Sequence, residues 1–130
     1  MNKLYIKHKE AHQGLISTHI DSRANVNTNI DVYFFHQKNS LAGKNLAENI
    51  RNTIEEKYAI HQPNRGYTGQ LNDERNLYVV KRTAPPAVLI ELGNIQNARD
   101  QKRILKPENR EALANWIYEG LVLDYQTNEN

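Results

Sequence analysis

The segment PPAVLIELGN, Pro85 to Asn94, limits what this chain can become. Proline cannot donate to a β ladder, so the pair stands ahead of a strand and not inside it. Four consecutive apolar residues, Ala87 to Ile90, then describe a strand covered on both faces. That is the signature of a parallel sheet with helices on either side. The strand delivers a carboxylate, Glu91, to its end, where loss of water is costly unless the group has a partner.

The remaining elements fit around that strand. LISTHI (Leu15 to Ile20) is short and β-branched, and the Asn/Asp/Ser-rich DSRANVNTN after it predicts a loop. IDVYFF (Ile30 to Phe35) predicts a second strand. Ser40 has the character of a helix N-cap, and Leu46, Ile50, Ile54 and Tyr58 recur at helical spacing behind it. Residues 59 to 75 contain Pro63, Gly66 and Gly69 and predict a long loop, with NLYVV as a third strand and AVLIE as the fourth. Asn97 with Asp100 marks the start of the helix ARDQKRIL, and Pro107 suits the first turn of a last helix. In that helix Leu113, Trp116, Ile117, Gly120 and Leu121 form one stripe, where Gly120 permits a close approach to the sheet. The first dozen residues are ambiguous: LYI suits an edge strand and KHKEAHQ a helix tail. The closing QTNEN is expected to fray. The order of elements gives a single α/β domain over residues 1–130, with a mixed, mostly parallel sheet flanked by helices.

Composition removes several kinds of chemistry. The chain has no cysteine, which excludes disulfides, thiolate metal sites and a thiol nucleophile. A metal would need His and carboxylate ligands, a set compatible with catalytic zinc. The formal net charge of +2 comes from interleaved charges, so nucleic acid is not an expected partner. No apolar run approaches the roughly 20 residues that span a bilayer, and the start lacks the apolar segment of a secretory signal.

His19 closes one predicted strand and Glu91 another. Ligands of open α/β sheets bind beyond the carboxyl ends of the strands. If the two strands are parallel neighbours, both side chains reach one rim, as parts for metal-assisted hydrolysis. Each residue also has an ordinary explanation. His19 suits a hydrogen-bonded rim histidine, and Glu91 an ion-pair partner of Lys81 or Arg82, or an acceptor for the loop after Gly93. His8 and His12 are four apart in HKEAH, but the glutamate is misplaced for a zinc motif. Asp73, Glu74 and Arg75 suit a solvated loop, while Arg65 and Arg75 are candidates for contacts to substrate carboxylates.

Three stretches carry a family resemblance: ISTHIDS (Ile16 to Ser22), DVYFFHQKNSLAGKNLAENI, and RGYTGQLNDERNLYVVKRTAPPAVLIELGNIQNARDQKRIL. In this order, from residue 14 to about residue 124, they resemble the zinc-dependent N-acetylmuramoyl-L-alanine amidases of bacterial cell-wall peptidoglycan. There a Ser-X-His strand precedes a segment of the form Pro-Ala-Val-Leu-Val-Glu-Xaa-Gly-Phe-Xaa-Xaa-Asn. The resemblance implies hydrolysis of the amide between N-acetylmuramic acid and L-alanine in peptidoglycan or a muropeptide. It implies a zinc ion with His19 as a ligand, Glu91 as the catalytic base, and a parent enzyme of the cell envelope or extracellular space. The family's first strand, its Pro-Gly-His-Gly-Gly motif and a further glutamate ligand have no counterpart, and Asn94 replaces the phenylalanine. The expectation is therefore an amidase domain lacking its N-terminal strand, able to self-associate through an exposed sheet edge. A non-catalytic module that binds cell wall or a protein partner is the alternative, and His12 or His36 are the replacement ligands to consider.

Overall fold

A computed structural model describes residues 2–67, 69–73 and 76–128. The elements are α1 (Asn2–Lys7), β1 (Leu15–Asp21), β2 (Val32–His36), α2 (Leu41–His61), β3 (Gly69–Asp73), α3 (Tyr78–Lys81), β4 (Ala87–Asn94), α4 (Ala98–Leu105) and α5 (Pro107–Asn128). The strands form one sheet in the order β1-β4-β2-β3. β1 runs parallel to β4 and β2 parallel to β3, while β2 and β4 are antiparallel. The expected mixed, mostly parallel sheet with flanking helices is thus present.

Period-two alternation sorts the strands onto two faces. Val32, Phe34, Val88 and Ile90 point to one side, where they meet Leu46, Ala47, Ile50, Ile54 and Tyr58 of α2. Ser40 caps that helix, its Oγ accepting from the Gly43 amide at 2.9 Å. Trp116, Ile117 and Leu121 of α5 close the same core from outside. A methyl group on Gly120 would lie 2.6 Å from the Cα of Ile50, so this glycine sets the contact between α5 and α2. The close approach is helix to helix, not helix to sheet as the stripe suggested. The other face carries a smaller cluster of Phe35, Val80, Ala87 and Leu89, with Leu15, Tyr33 and Leu77 beside it.

Four local expectations need correction. NLYVV is not a strand: Leu77 caps α3, and Val80, three residues on, shares its side of one helical turn and enters the smaller cluster. The third strand instead lies at GQLND, inside the expected loop. Leu71 is its one apolar residue, and parallel pairing to β2 supplies the ladder that the composition does not advertise. LYI belongs to α1, and α5 continues to Asn128 in place of the expected frayed end. Asp73 ends β3 and is exposed, whereas Glu74 and Arg75 lie outside the described residues.

Candidate functional site

The β1–β4 ladder pairs His19 directly with Glu91, and the β2–β4 ladder pairs Tyr33 with the same glutamate. Paired residues project to the same face, so His19, Glu91 and Tyr33 form one row across the sheet, on the side away from α2. The row is not at the extreme strand end, because β4 continues three residues past Glu91 to Asn94.

The two sequence candidates sit in different surroundings. His19 is exposed, and its Nε2 shares a 3.2 Å hydrogen bond with the Ser17 hydroxyl, two residues back on the same face. The Glu91 side chain is only 15% exposed. Its Oε2 is buried and has no hydrogen-bond partner among the described residues. Arg23 Nη2 stands 3.7 Å from that oxygen, while Arg23 Nε donates to Asp21 Oδ2 at 2.6 Å. The Arg23 guanidinium also lies 5.4 Å from the centroid of the Tyr33 ring. Burial pushes the Glu91 carboxyl above its ordinary range. The Asp21 carboxylate pushes in the same direction, and Arg23 opposes both. The charge partner of Glu91 is thus Arg23. Lys81, one of the two residues expected from sequence, bonds to Asn76 Oδ1 instead.

Arg23 reaches the row because the loop after β1 is fastened to the end of β4. Asn94 is fully buried: its Oδ1 accepts from the Arg23 and Gln96 amides, and its Nδ2 donates to the Asn25 and Thr28 carbonyls. The Ile95 amide donates to the Asp21 carbonyl at 2.8 Å. Gly93 lies in β4 where the β1–β4 register shifts, with φ of +149° and no room for a Cβ, which would stand 2.7 Å from Ile104 Cδ1. Asp21, Arg23 and Asn94 are the residues that sequence reasoning missed. Alternation in STHID places Asp21 two residues after His19, which was the available clue.

Beside the row, a cavity of about 290 Å³ is lined by Arg23, Tyr33, Phe35, Gln70, Asn72 and Leu77. The other candidates point elsewhere. His12 Nε2 lies 3.4 Å from the buried Asp124 carboxylate on α5, and α1 ends before His8. His36 is buried, shares a 3.0 Å hydrogen bond with the Gln37 carbonyl through Nδ1, and places Nε2 3.5 Å from Asp73. Arg65 is committed to the buried Asp31 and lies 5.3 Å over the Tyr58 ring, on the far side of the sheet. None of the three joins the His19–Glu91 row. Among the described residues no three His, Asp or Glu side chains stand together as a metal-binding group. A catalytic zinc takes three protein ligands, so the described residues do not by themselves make a zinc site.

Residues 2–122 match the N-acetylmuramoyl-L-alanine amidase family profile. The chain is 33% identical over 107 residues to the probable cell wall amidase LytH of Staphylococcus epidermidis, an overlap covering 82% of this chain and 33% of that protein. LytH of Staphylococcus aureus gives the same figures. The chain spans about a third of the length of the curated relatives it matches. Its fold is similar to the CwlD amidase of Clostridioides difficile, solved in complex with the GerS lipoprotein, with TM-score 0.77, 21% identity and coverage of 97% of this chain and 60% of that one. It is also similar to the amidase AmiC2 of Nostoc punctiforme, with TM-score 0.75, 23% identity and coverage of 96% and 63%. The family profile spans nearly all of the sequence, and the fold agrees with it: this chain belongs to the N-acetylmuramoyl-L-alanine amidase family.

Proposed function

We propose that this chain serves hydrolysis of the amide between the lactyl group of N-acetylmuramic acid and L-alanine in peptidoglycan, in a cell-envelope or extracellular setting. One observation carries the reading. A mostly buried carboxylate, Glu91, whose Oε2 has no hydrogen-bond partner among the described residues, shares a row with an exposed histidine, His19. Glu91 accepts a proton from the attacking water and passes it to the leaving L-alanine amine, a role suited to a carboxyl held above its ordinary range. His19 is the residue here that matches a family zinc ligand. The cavity beside Tyr33 is placed to receive the stem peptide, with Gln70 and Asn72 amides as hydrogen-bonding groups.

Purified chain supplied with zinc is expected to release stem peptides with a new L-alanine amino terminus from muropeptides, read by mass spectrometry. Cleavage at any other bond would overturn the reading. A second reading, a non-catalytic amidase-derived module, is favoured by the lack of a three-ligand group among the described residues. Muropeptide retention without turnover would select it.

The outer edge of β1 is the surface we assign to self-association. Among the described residues β1 pairs with β4 alone, and Ile20 near its end is 44% exposed. Sedimentation velocity is expected to show reversible dimers that Ile20→Lys shifts toward monomer. A concentration-independent monomer in the unsubstituted chain would remove this assignment. No helix of the described residues is long and apolar enough to cross a membrane.

A further inference from the structure

On the face opposite Glu91, α2, α4 and α5 border an open cavity of about 780 Å³ whose wall includes six lysine and arginine side chains. Its charge follows from a spacing. Arg99, Lys102, Arg103 and Lys106 stand at i, i+3, i+4 and i+7, so α4 and the residue after it present one basic stripe. Like charges at these spacings oppose helix formation by a few tenths of a kcal/mol per pair, while Lys102 and Arg103 in the last turn are favoured by the helix dipole.

Some of the cations around the cavity are already matched. Lys57 pairs with Glu119 at 2.6 Å, Arg65 with Asp31, and Arg103 with Asp100. Arg99, Lys102 and Lys106 have no carboxylate partner among the described residues, and Glu108 is the remaining acidic group on the wall. Three cations without a carboxylate partner therefore share this one wall. Two further groups ask for an acceptor. The Nε atoms of Arg65 and Arg103 are buried without a hydrogen-bond partner, and Arg103 is only 4% exposed. Burying such donors unsatisfied is costly.

We propose that this cavity binds a multivalent phosphate-bearing anion, a site independent of the peptidoglycan reading. Phosphate places several acceptor oxygens and more than one charge on a single centre, which suits convergent arginine and lysine donors better than isolated carboxylates do. The recess between three helices favours a soluble anion over the headgroups of a flat bilayer.

Isothermal titration with inorganic tripolyphosphate tests the proposal on the whole chain. Saturable binding is expected, weakening as salt rises. The double variant Lys102→Glu/Lys106→Glu changes two exposed side chains and is expected to weaken binding on the order of tenfold or more. Its circular dichroism and muropeptide turnover should match the parent, since neither lysine lies on the Glu91 face. Arg99→Glu is a second, separate charge reversal at the same wall. No binding of tripolyphosphate, or undiminished binding by both variants, would overturn the proposal. Equal affinity for polyglutamate would overturn the choice of phosphate. Binding only to phosphatidylglycerol vesicles, or tighter binding to a short oligonucleotide, would replace the soluble anion with a membrane or a nucleic acid.

Discussion

Asp100→Ala is expected to lower the unfolding free energy by about 3–5 kcal/mol, the range for removing one member of a buried ionic network. Asp100 is fully buried at the start of α4, where the Asn97 side chain caps its amide at 3.1 Å. One carboxylate oxygen accepts from the Ile30 amide at 2.9 Å and the Asn94 amide at 3.0 Å. The other faces Arg103 Nη2 at 3.4 Å. Truncation leaves two backbone donors and part of a guanidinium without an acceptor in a region closed to water. Arg103 still donates to the Asp31 and Leu92 carbonyls, which keeps its charge partly solvated by the protein. Asp100→Asn keeps the shape and one acceptor oxygen, so a smaller loss is expected. Urea unfolding gives both numbers, with an unchanged slope if only stability has changed. A loss below about 1 kcal/mol for the alanine variant would mean that the freed donors find other partners. The effect also reaches the rim, because Asn94, held by Asp100, fixes the loop after β1 that carries Arg23.

The contrast between Asp100 and Arg23 shows what kind of information the chain discloses locally. Ser40, Asn97 and Pro107 announce helix starts because a cap or a fixed φ acts within a few residues. The α2 stripe and the AVLI run are equally local. Gly69 to Asp73 stayed hidden because an edge strand draws its stability from hydrogen bonds to β2, not from its own apolar content. The short α3 misled because one turn burying Leu77 and Val80 has too few residues to show a period. At the site, His19 and Glu91 were recognisable as residues, but their shared row depends on the β1–β4 register, a long-range fact. Arg23 is positioned through its loop amide and Asn94 acts through loop amides and carbonyls, contacts that leave no spacing to read. The basic stripe of α4 was present in the spacing, yet a net charge averaged over the whole chain concealed it.

Glu91→Gln is expected to reduce turnover of muropeptides by about 10²- to 10⁴-fold, the usual share of a general base, while leaving the fold intact. The same substitution should not destabilise the metal-free chain at neutral pH. Burial raises the Glu91 carboxyl first, Asp21 raises it further, and Arg23 only partly offsets them. The folded state thus holds this proton more tightly than the unfolded chain does. Between the ordinary carboxylate range and the raised folded value, stability falls as pH rises, because the folded state binds more protons. Above that window the penalty is complete, and below the ordinary range it is absent. Glutamine never ionises and escapes the penalty. The variant should therefore match or exceed the parent in stability at neutral pH and lose any advantage in acid. Urea unfolding of both proteins in chelator, at acid and neutral pH, measures this directly. If the variant is instead less stable at neutral pH, the attraction between Glu91 and Arg23 outweighs the cost of burial, and the carboxylate serves the fold. Turnover that survives the substitution would remove the proton-transfer role independently of that result, since the two measurements separate a residue kept for chemistry from one kept for packing.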